Sequence, residues 1–415
     1  MGRYTFLGID PFHILEIKNQ EPFDRLRELL YAYKINLPKS KVPFLGGAVG
    51  FLSYDLGFQL ENKLKRKTKD DLKIPDCFFG FYNSVIICDN IKRVLYIFTV
   101  GFPEKRHGLQ KSLCAFNMKK IHTILSGIKP RMRKCKKEPK ECQELKSNFS
   151  RQDYLAAVKK AKHYIKCGDI YQVNLSQQFK ANTHQSSFQI YRRLRSISPS
   201  SFGAYFDAGD FQILSSSPER FLKVENNTVI TSPMKGTRPR GKNTREDSLL
   251  RKELLSSQKD KAELTMIVDL ERNDLGRVCE YDSIKVDALR QLEKYNTVFQ
   301  TTAMVSGRLH KGKNRIDLLK ACFPGGSITG CPKIRAMEII EELEPSRRSI
   351  YTGCLGYLSF SESLDFNILI RTILKENKRL YFGVGGGIVA DSEPEAEYQE
   401  TLVKAKAMIE AIGNQ

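Results

Sequence analysis

No apolar run in the 415 residues approaches the roughly 20 needed to cross a bilayer. The N-terminus, MGRYTFLGID, lacks the basic, apolar and small-residue regions of a secretory signal. Met1-Gly2 does not read as a myristoylation start, because position 6 is Phe rather than Ser or Thr. Cytoplasm is therefore the expected location, with no membrane partner. Cysteine is scarce: ten residues are too few to staple a chain of this length, and none forms a C-x-x-C pair. The closest two, Cys135 and Cys142, fall in a basic low-complexity stretch, so structural zinc is disfavoured and the thiols are expected to be reduced and mostly buried. There is no internal repeat.

What is present is an ordinary globular composition, 41% hydrophobic and 28% charged, which supports a substantial core. The 68 basic residues outnumber the 47 acidic ones, giving a net charge of +21. Such an excess suggests nucleic acid, but the basic residues are spread along the chain, apart from one run between Arg131 and Lys140. Prolines flank and interrupt that run, no nucleic-acid motif accompanies it, and it reads as a solvated linker. A basic nucleic-acid-binding protein remains a remote alternative, with steeply salt-dependent binding as its signature. The charge also suits attraction of a small anionic substrate.

Residues 1–102 read as strands and turns, and 103–149 as a basic, mostly helical or irregular connector. Within 150–415, a helix starts near Asp153, with Tyr154, Val158, Ala161 and Ile165 at helical spacing, and stops at Cys167-Gly168. Further helices fit Ser248–Asn273, Pro332–Leu343 and Pro394–Ile412. Strands fit IYQVNLSQQF, FGAYFDAG, FQILSSS, ERFLKVENNTVITS, GCLGYLSF, FNILIRTILKE and RLYFGVGGGIV. Long strands mixed with helices, without regular βαβ alternation, predict an α+β fold.

Four constellations carry chemistry. Asp260 and Glu263, and again Glu397 and Glu400, are three residues apart, which puts each pair on one helix face. Either pair alone suits a solvated face; two such faces turned together offer an oxygen-rich Mg²⁺ site. Arg371 stands in the apolar stretch FNILIRTIL, where a buried guanidinium needs an internal acid or an anionic ligand. The glycines of VGGGIVADS, and the small residues of FPGGSITG leading to Pro332 at an expected N1 position, permit close backbone approach to an anion, or simply turns. Finally, Glu219 lies near a strand start, and Lys235 falls in a Pro/Gly-rich loop, SPMKGTRPRG. The pair suits a surface lysine or, in a cleft, a nucleophile beside a general acid.

These segments together resemble the chorismate-binding family that includes anthranilate, aminodeoxychorismate, isochorismate and salicylate synthases. The matching stretches are GDIYQVNLS, SSPERFL, PMKGTRPRG, KDKAELTMIVDLERNDLGRV, SITGCPKIRAMEIIEEL, IYTGCLGY, RTIL, FGVGGGIVADS and PEAEYQETLVKA, in family order, with FLGGAVGFLSYDLG ahead of them. The resemblance implies two large, mostly antiparallel sheets packed as a sandwich with helices outside, and a chorismate cleft within 150–415. It also implies that Glu263 and Glu400 ligate Mg²⁺ directly, with Asp260 and Glu397 supporting through water. Arg371 and Tyr351 would hold a substrate carboxylate; Ser327, the backbone of Gly385 and Gly386, and Lys404 would complete anion binding.

Within that family the water-adding members carry a lysine where this chain has Gln172, and many relatives carry a histidine where it has Gln300. Glutamine donates a hydrogen bond but shuttles no proton at neutral pH. Lys235 replaces the alanine of the anthranilate synthase loop and resembles aminodeoxychorismate synthases. That likeness implies attack by Lys235 on the ring, with Glu219 assisting loss of the C4 hydroxyl and ammonia then adding at C4. The chain shows no Cys-nucleophile glutaminase motif, so ammonia is expected from a separate glutamine amidotransferase subunit or from solution. Anthranilate synthase component I is the alternative.

Overall fold

The computed structural model describes residues 2–35, 40–128, 144–294 and 298–413. The run from Arg131 to Lys140, and with it Cys135 and Cys142, lies outside the described residues. No described helix is long and apolar enough to cross a membrane.

Two large sheets organise the chain. One has seven strands and includes Gln172–Asn182, Arg379–Ile388, Thr372–Glu376, Phe211–Ser217 and Phe202–Asp207 in spatial order. The other has ten, running from Met234–Pro239 through Val298–Arg308, Thr228–Ser232, Arg220–Glu225, Leu364–Ile368 and Cys354–Ser359 to Gly47–Leu52, Cys77–Tyr82 and His13–Ile17. Every pairing among the described strands is antiparallel. The sheets meet through interlocked aromatics: Phe51 and Phe78 of one lie edge-on to Phe206 and Phe211 of the other, with centroids 5.7–6.2 Å apart. Helices Ser187–Ile197 and Pro394–Ile412 cover the outer face of the seven-stranded sheet. This is the expected α+β sandwich. Three strands from the first 102 residues extend the ten-stranded sheet, while Tyr4–Gly8, Ser84–Asp89 and Val94–Thr99 form a small third one.

Local chemistry explains where the elements begin and end. The helix Arg151–Lys166 starts where the Ser150 hydroxyl accepts from the Asp153 N–H, and buries Tyr154, Val158 and Ala161. Pro394–Ile412 has Pro at its first position and stops at Gly413, which adopts φ +89°.

Several expectations are corrected. The segment 248–273 is not one helix but parts of two, Thr244–Ser256 and Gln258–Gly276, because the Ser257 hydroxyl caps a new N-terminus at Asp260. Residues 23–32 form a helix inside a region read as strands and turns, with Phe23, Leu26, Leu29 and Leu30 buried at helical spacing. Pro332 caps rather than begins the helix Lys333–Leu343, and Ser327 sits on the separate 3₁₀ turn Gly326–Ile328. Lys235 belongs to the strand Met234–Pro239, not a loop. The three glycines lie inside the strand Arg379–Ile388, within the expected segment RLYFGVGGGIV.

The remaining correction locates the site. FNILIRTILKE is two strands in different sheets: Leu364–Ile368 ends in the ten-stranded sheet, and Thr372–Glu376 begins in the seven-stranded one. Arg371 stands in the step between them, at φ +49°. A mirror-image step joins Phe211–Ser217 to Arg220–Glu225, and Glu219 stands in that one. The two steps are bonded to each other, Ser216 N–H donating to Arg371 O (3.1 Å) and Ile368 N–H to Glu219 O (3.1 Å).

Candidate active site

The two bonded steps place Glu219 and Arg371 along the same seam of the sandwich, and other elements converge on Glu219. Glu219 is 4% exposed and accepts from the Ser327 hydroxyl at 2.5 Å. Burial pushes its carboxyl up to about 7, against the opposing pull of that hydrogen bond and of Lys235 and Lys404. A buried carboxylic acid that exchanges its proton near neutral pH has the properties of a general acid. A non-glycine residue at φ +49° is uncommon, and such strain collects at functional sites.

Lys235 lies opposite Thr301, whose hydroxyl donates to the Lys235 carbonyl. The next residue, Gly236, has φ +75° and leaves room for Asp260: an added Cβ would lie 3.0 Å from the Asp260 carboxyl carbon. The Lys235 side chain reaches the glycine strand. A Cβ on Gly387 would lie 3.4 Å from Lys235 Nζ and 2.9 Å from Gln172 Nε2, so this glycine keeps open the space that both approach. The same ammonium draws down the carboxyls of Glu219, Glu263 and Glu400, which puts it electrostatically at the centre of the acids.

Gln172 is fully buried, yet neither its Oε1 nor its Nε2 has a protein partner. Asn174 Oδ1 and Gln300 Oε1 are in the same condition, while Gln300 Nε2 donates to Thr237 Oγ1 at 3.2 Å. Native interiors seldom leave such groups unpaired, and Gln172, which shares the space at Gly387 with Lys235, is placed to face a polar ligand.

The helices that carry the two acid pairs approach one another, and, beyond burial, Glu400 raises the carboxyl of Glu263 through its charge. Lys259, one residue before Asp260, lies 3.8 Å from Glu397 on the other helix. A Cβ on Gly386 would stand 3.1 Å from Glu397 Oε2 and 3.6 Å from Glu400 Oε1, so both carboxylates converge on that glycine. Burial raises Glu263 and Glu397; burial also pushes Glu400 up, but Lys404, 2.6 Å away, takes it below its ordinary value. Lys404 Nζ also donates to Gly385 O (2.8 Å), Ser392 Oγ donates to Glu397 (2.6 Å), and Arg238 pairs with Asp260 (3.3 Å). The hard oxygen donors suit a divalent cation such as Mg²⁺. In this structure Asp260, Glu397 and Glu400 pair with Arg238, Lys259 and Lys404, and among the described residues no three His, Cys, Asp or Glu side chains form a ready metal-holding group.

Tyr351 is buried against Gly383, where an added Cβ would fall 2.4 Å from the ring carbon Cγ. Its neighbours include a buried ion pair that the motif reading passed over, Arg348 with Glu344 at 2.7 Å. The only trace of that pair in the sequence is the charged stretch EPSRRS between an apolar helix and the tyrosine.

A family profile described as chorismate binding enzyme matches residues 2–410. Aminodeoxychorismate synthase component 1 of Bacillus subtilis (strain 168) is 35% identical over 99% of this chain and 89% of its own length. Anthranilate synthase component 1 of Acetivibrio thermocellus is 39% identical over 99% and 87%. The crystal structure of anthranilate synthase component I from Streptococcus pneumoniae TIGR4 superposes with a TM-score of 0.86 at 33% identity, covering 98% of this chain and 92% of that one.

Proposed function

The chain belongs to the chorismate-binding enzyme family, and we propose that it aminates chorismate at C4 to give 4-amino-4-deoxychorismate, the precursor of 4-aminobenzoate in folate synthesis. Relatives of the anthranilate and aminodeoxychorismate kinds are similar to it to comparable degrees, so sequence likeness does not choose between them. The observation that favours amination is the Lys235 amine at the open space of Gly387, beside Gln172 and coupled to the buried acid Glu219.

In this reading Arg371 and Tyr351 hold a chorismate carboxylate, with Ser327, the backbone of Gly385 and Gly386, and Lys404 completing the anion cradle. Lys235, as the free amine, forms a bond to C2 while both ring double bonds shift, C1=C2 to C1=C6 and C5=C6 to C4=C5, and the C4–O bond breaks. Glu219 gives its proton to the departing hydroxyl, which leaves as water. Ammonia then bonds to C4, both double bonds return, the C2–N bond to Lys235 breaks, and Glu219 takes back a proton from the new ammonium, so one hydroxyl is exchanged for one amine and the enolpyruvyl group stays. Glutamine at 172 in place of a base disfavours water as the nucleophile. Glu263 and Glu400 would hold Mg²⁺, supported by Asp260 and Glu397, and the ion when bound supplies charge neutralisation to the substrate carboxylate. Gln300 orients the substrate. Ammonia comes from a glutamine amidotransferase subunit, consistent with relatives named as component 1, and the enzyme works in the cytoplasm without nucleic acid.

Incubation with chorismate, Mg²⁺ and ammonium tests this directly. The expected product is aminodeoxychorismate, which an added lyase converts to 4-aminobenzoate; anthranilate and pyruvate as direct products would instead assign the anthranilate reaction. Lys235→Ala is expected to lower amination by about 10²- to 10⁴-fold, the scale of losing one reacting group, and full activity in that variant would remove Lys235 from the mechanism.

A further inference from the structure

Beneath the cleft lies a buried polar group that the proposed reaction does not use. We propose that Arg348, clasped by Glu344, is a positioning residue that sets where Ser327 and Tyr351 stand and thereby aligns Glu219 with the substrate. The proposal rests on reading the cleft as a chorismate site, but not on which product forms.

All the donor atoms of the Arg348 guanidinium are engaged, and their partners come from three separate parts of the chain. Nε and Nη2 donate to the two Glu344 oxygens at 2.9 and 2.7 Å. Nη2 also reaches the carbonyl of Asn174 (2.6 Å), two residues beyond Gln172 on the strand that faces the glycines. Nη1 reaches the carbonyl of Ile328 (2.8 Å), directly after the serine that bonds Glu219, and Thr352 Oγ1 (3.4 Å). Glu344 in turn accepts from Ser176 N–H and Oγ, both at 2.8 Å. The guanidinium plane lies 4.7 Å from the Tyr54 ring and 6.0 Å from that of Tyr351. Arg348 and Glu344 are 4% and 5% exposed.

The turn that leads from Arg348 to Tyr351 carries the same message. Ser349 and Thr352 both have positive φ, at 52° and 62°, and neither is glycine. Such backbone persists where surrounding bonds over-determine it. Here those bonds are Tyr54 N–H to Ser349 O (2.8 Å), Tyr351 N–H to Arg348 O (3.0 Å) and Arg348 to Thr352 Oγ1 (3.4 Å). One planar, five-donor fork thus fixes the serine turn, the glutamine strand and the tyrosine turn at once. A lysine keeps the charge but lacks the fork.

The test is a double-mutant cycle on chorismate turnover, using Arg348→Lys, Ser327→Ala and the pair, with folding followed by thermal melts. If Arg348 acts through Ser327, Arg348→Lys lowers kcat/KM by about 10- to 100-fold, the cost of ångström-scale misplacement. Ser327→Ala then costs far less in the Arg348→Lys background than in the parent. Effects that multiply independently, with a lowered melting temperature as the main change, would overturn the proposal and leave the pair purely structural. Ser176→Ala leaves no charge unpaired and serves if Arg348→Lys does not fold. It is expected to couple to Ser327→Ala in the same sense, and independence there is equally decisive. Chorismate consumption is read whatever the product, so release of anthranilate would refute the amination reading while leaving this cycle interpretable.

Discussion

Two buried polar regions lie along the strand Gln172–Asn182, and they are organised in opposite ways. Around Asn174 O and Ser176, the Arg348–Glu344 pair meets a partner at every donor and at both carboxylate oxygens. Around Gln172, which approaches the same space as Lys235, both amide atoms lack a protein partner, and Glu219 is held well above its ordinary range by burial. The first region is closed on itself and fixes geometry; the second is left open to something that must arrive. A few residues on one strand separate scaffold from site, and the difference is one of satisfaction rather than polarity.

The comparison can be broken most forcefully at its closed end. Glu344→Ala strands the Arg348 charge in the interior and is expected to cost about 3–5 kcal/mol of unfolding free energy by urea titration; a loss under 1 kcal/mol would mean that the pair is not a closed unit. At the open end the signs reverse. A carboxyl raised to about 7 contributes stability that is full below its unfolded value and is lost as pH rises through 7. Glu219→Gln should therefore be more stable than the parent at pH 8, by up to about 3 kcal/mol, with no difference at pH 4. Amination by the parent should fall as pH passes 7, because Glu219 then no longer holds the proton it must donate. Gln172→Leu replaces two unpartnered amide atoms with hydrocarbon and is expected to stabilise by about 1–2 kcal/mol while abolishing amination. Destabilisation there would show that the amide is satisfied within the protein. As a reference point, Lys120→Ala removes an exposed pair with Asp10 (2.9 Å) and should change stability by no more than about 0.5 kcal/mol.

How much of this was legible depended on the range of the interactions. The helix Pro394–Ile412 was readable at both ends, because proline and glycine punctuate it locally. The acid pairs were readable because helical spacing alone puts Asp260 with Glu263 and Glu397 with Glu400. The break at Ser257 is marked only by the polar run from Ser256 to Lys261, which an exposed turn of one continuous helix carries equally well, and the Ser257 cap decides it. FNILIRTIL looked like one strand because its residues are buried in both sheets, and nothing local records the change of partner strands at Arg371. The Arg348 group was illegible for a plainer reason. Its partners Asn174 and Ile328 lie 174 and 20 residues away, and a main-chain carbonyl leaves no mark on the sequence.

The paired steps at Glu219 and Arg371 also constrain how this chain can vary in length. Each step is only a few residues long, and strands on both sides are locked in register with neighbours in different sheets. Inserting or deleting a single residue at 218 or 370 would turn every following side chain of the strand to the opposite face. At the seam the count of residues is therefore as much a part of the active site as their identity.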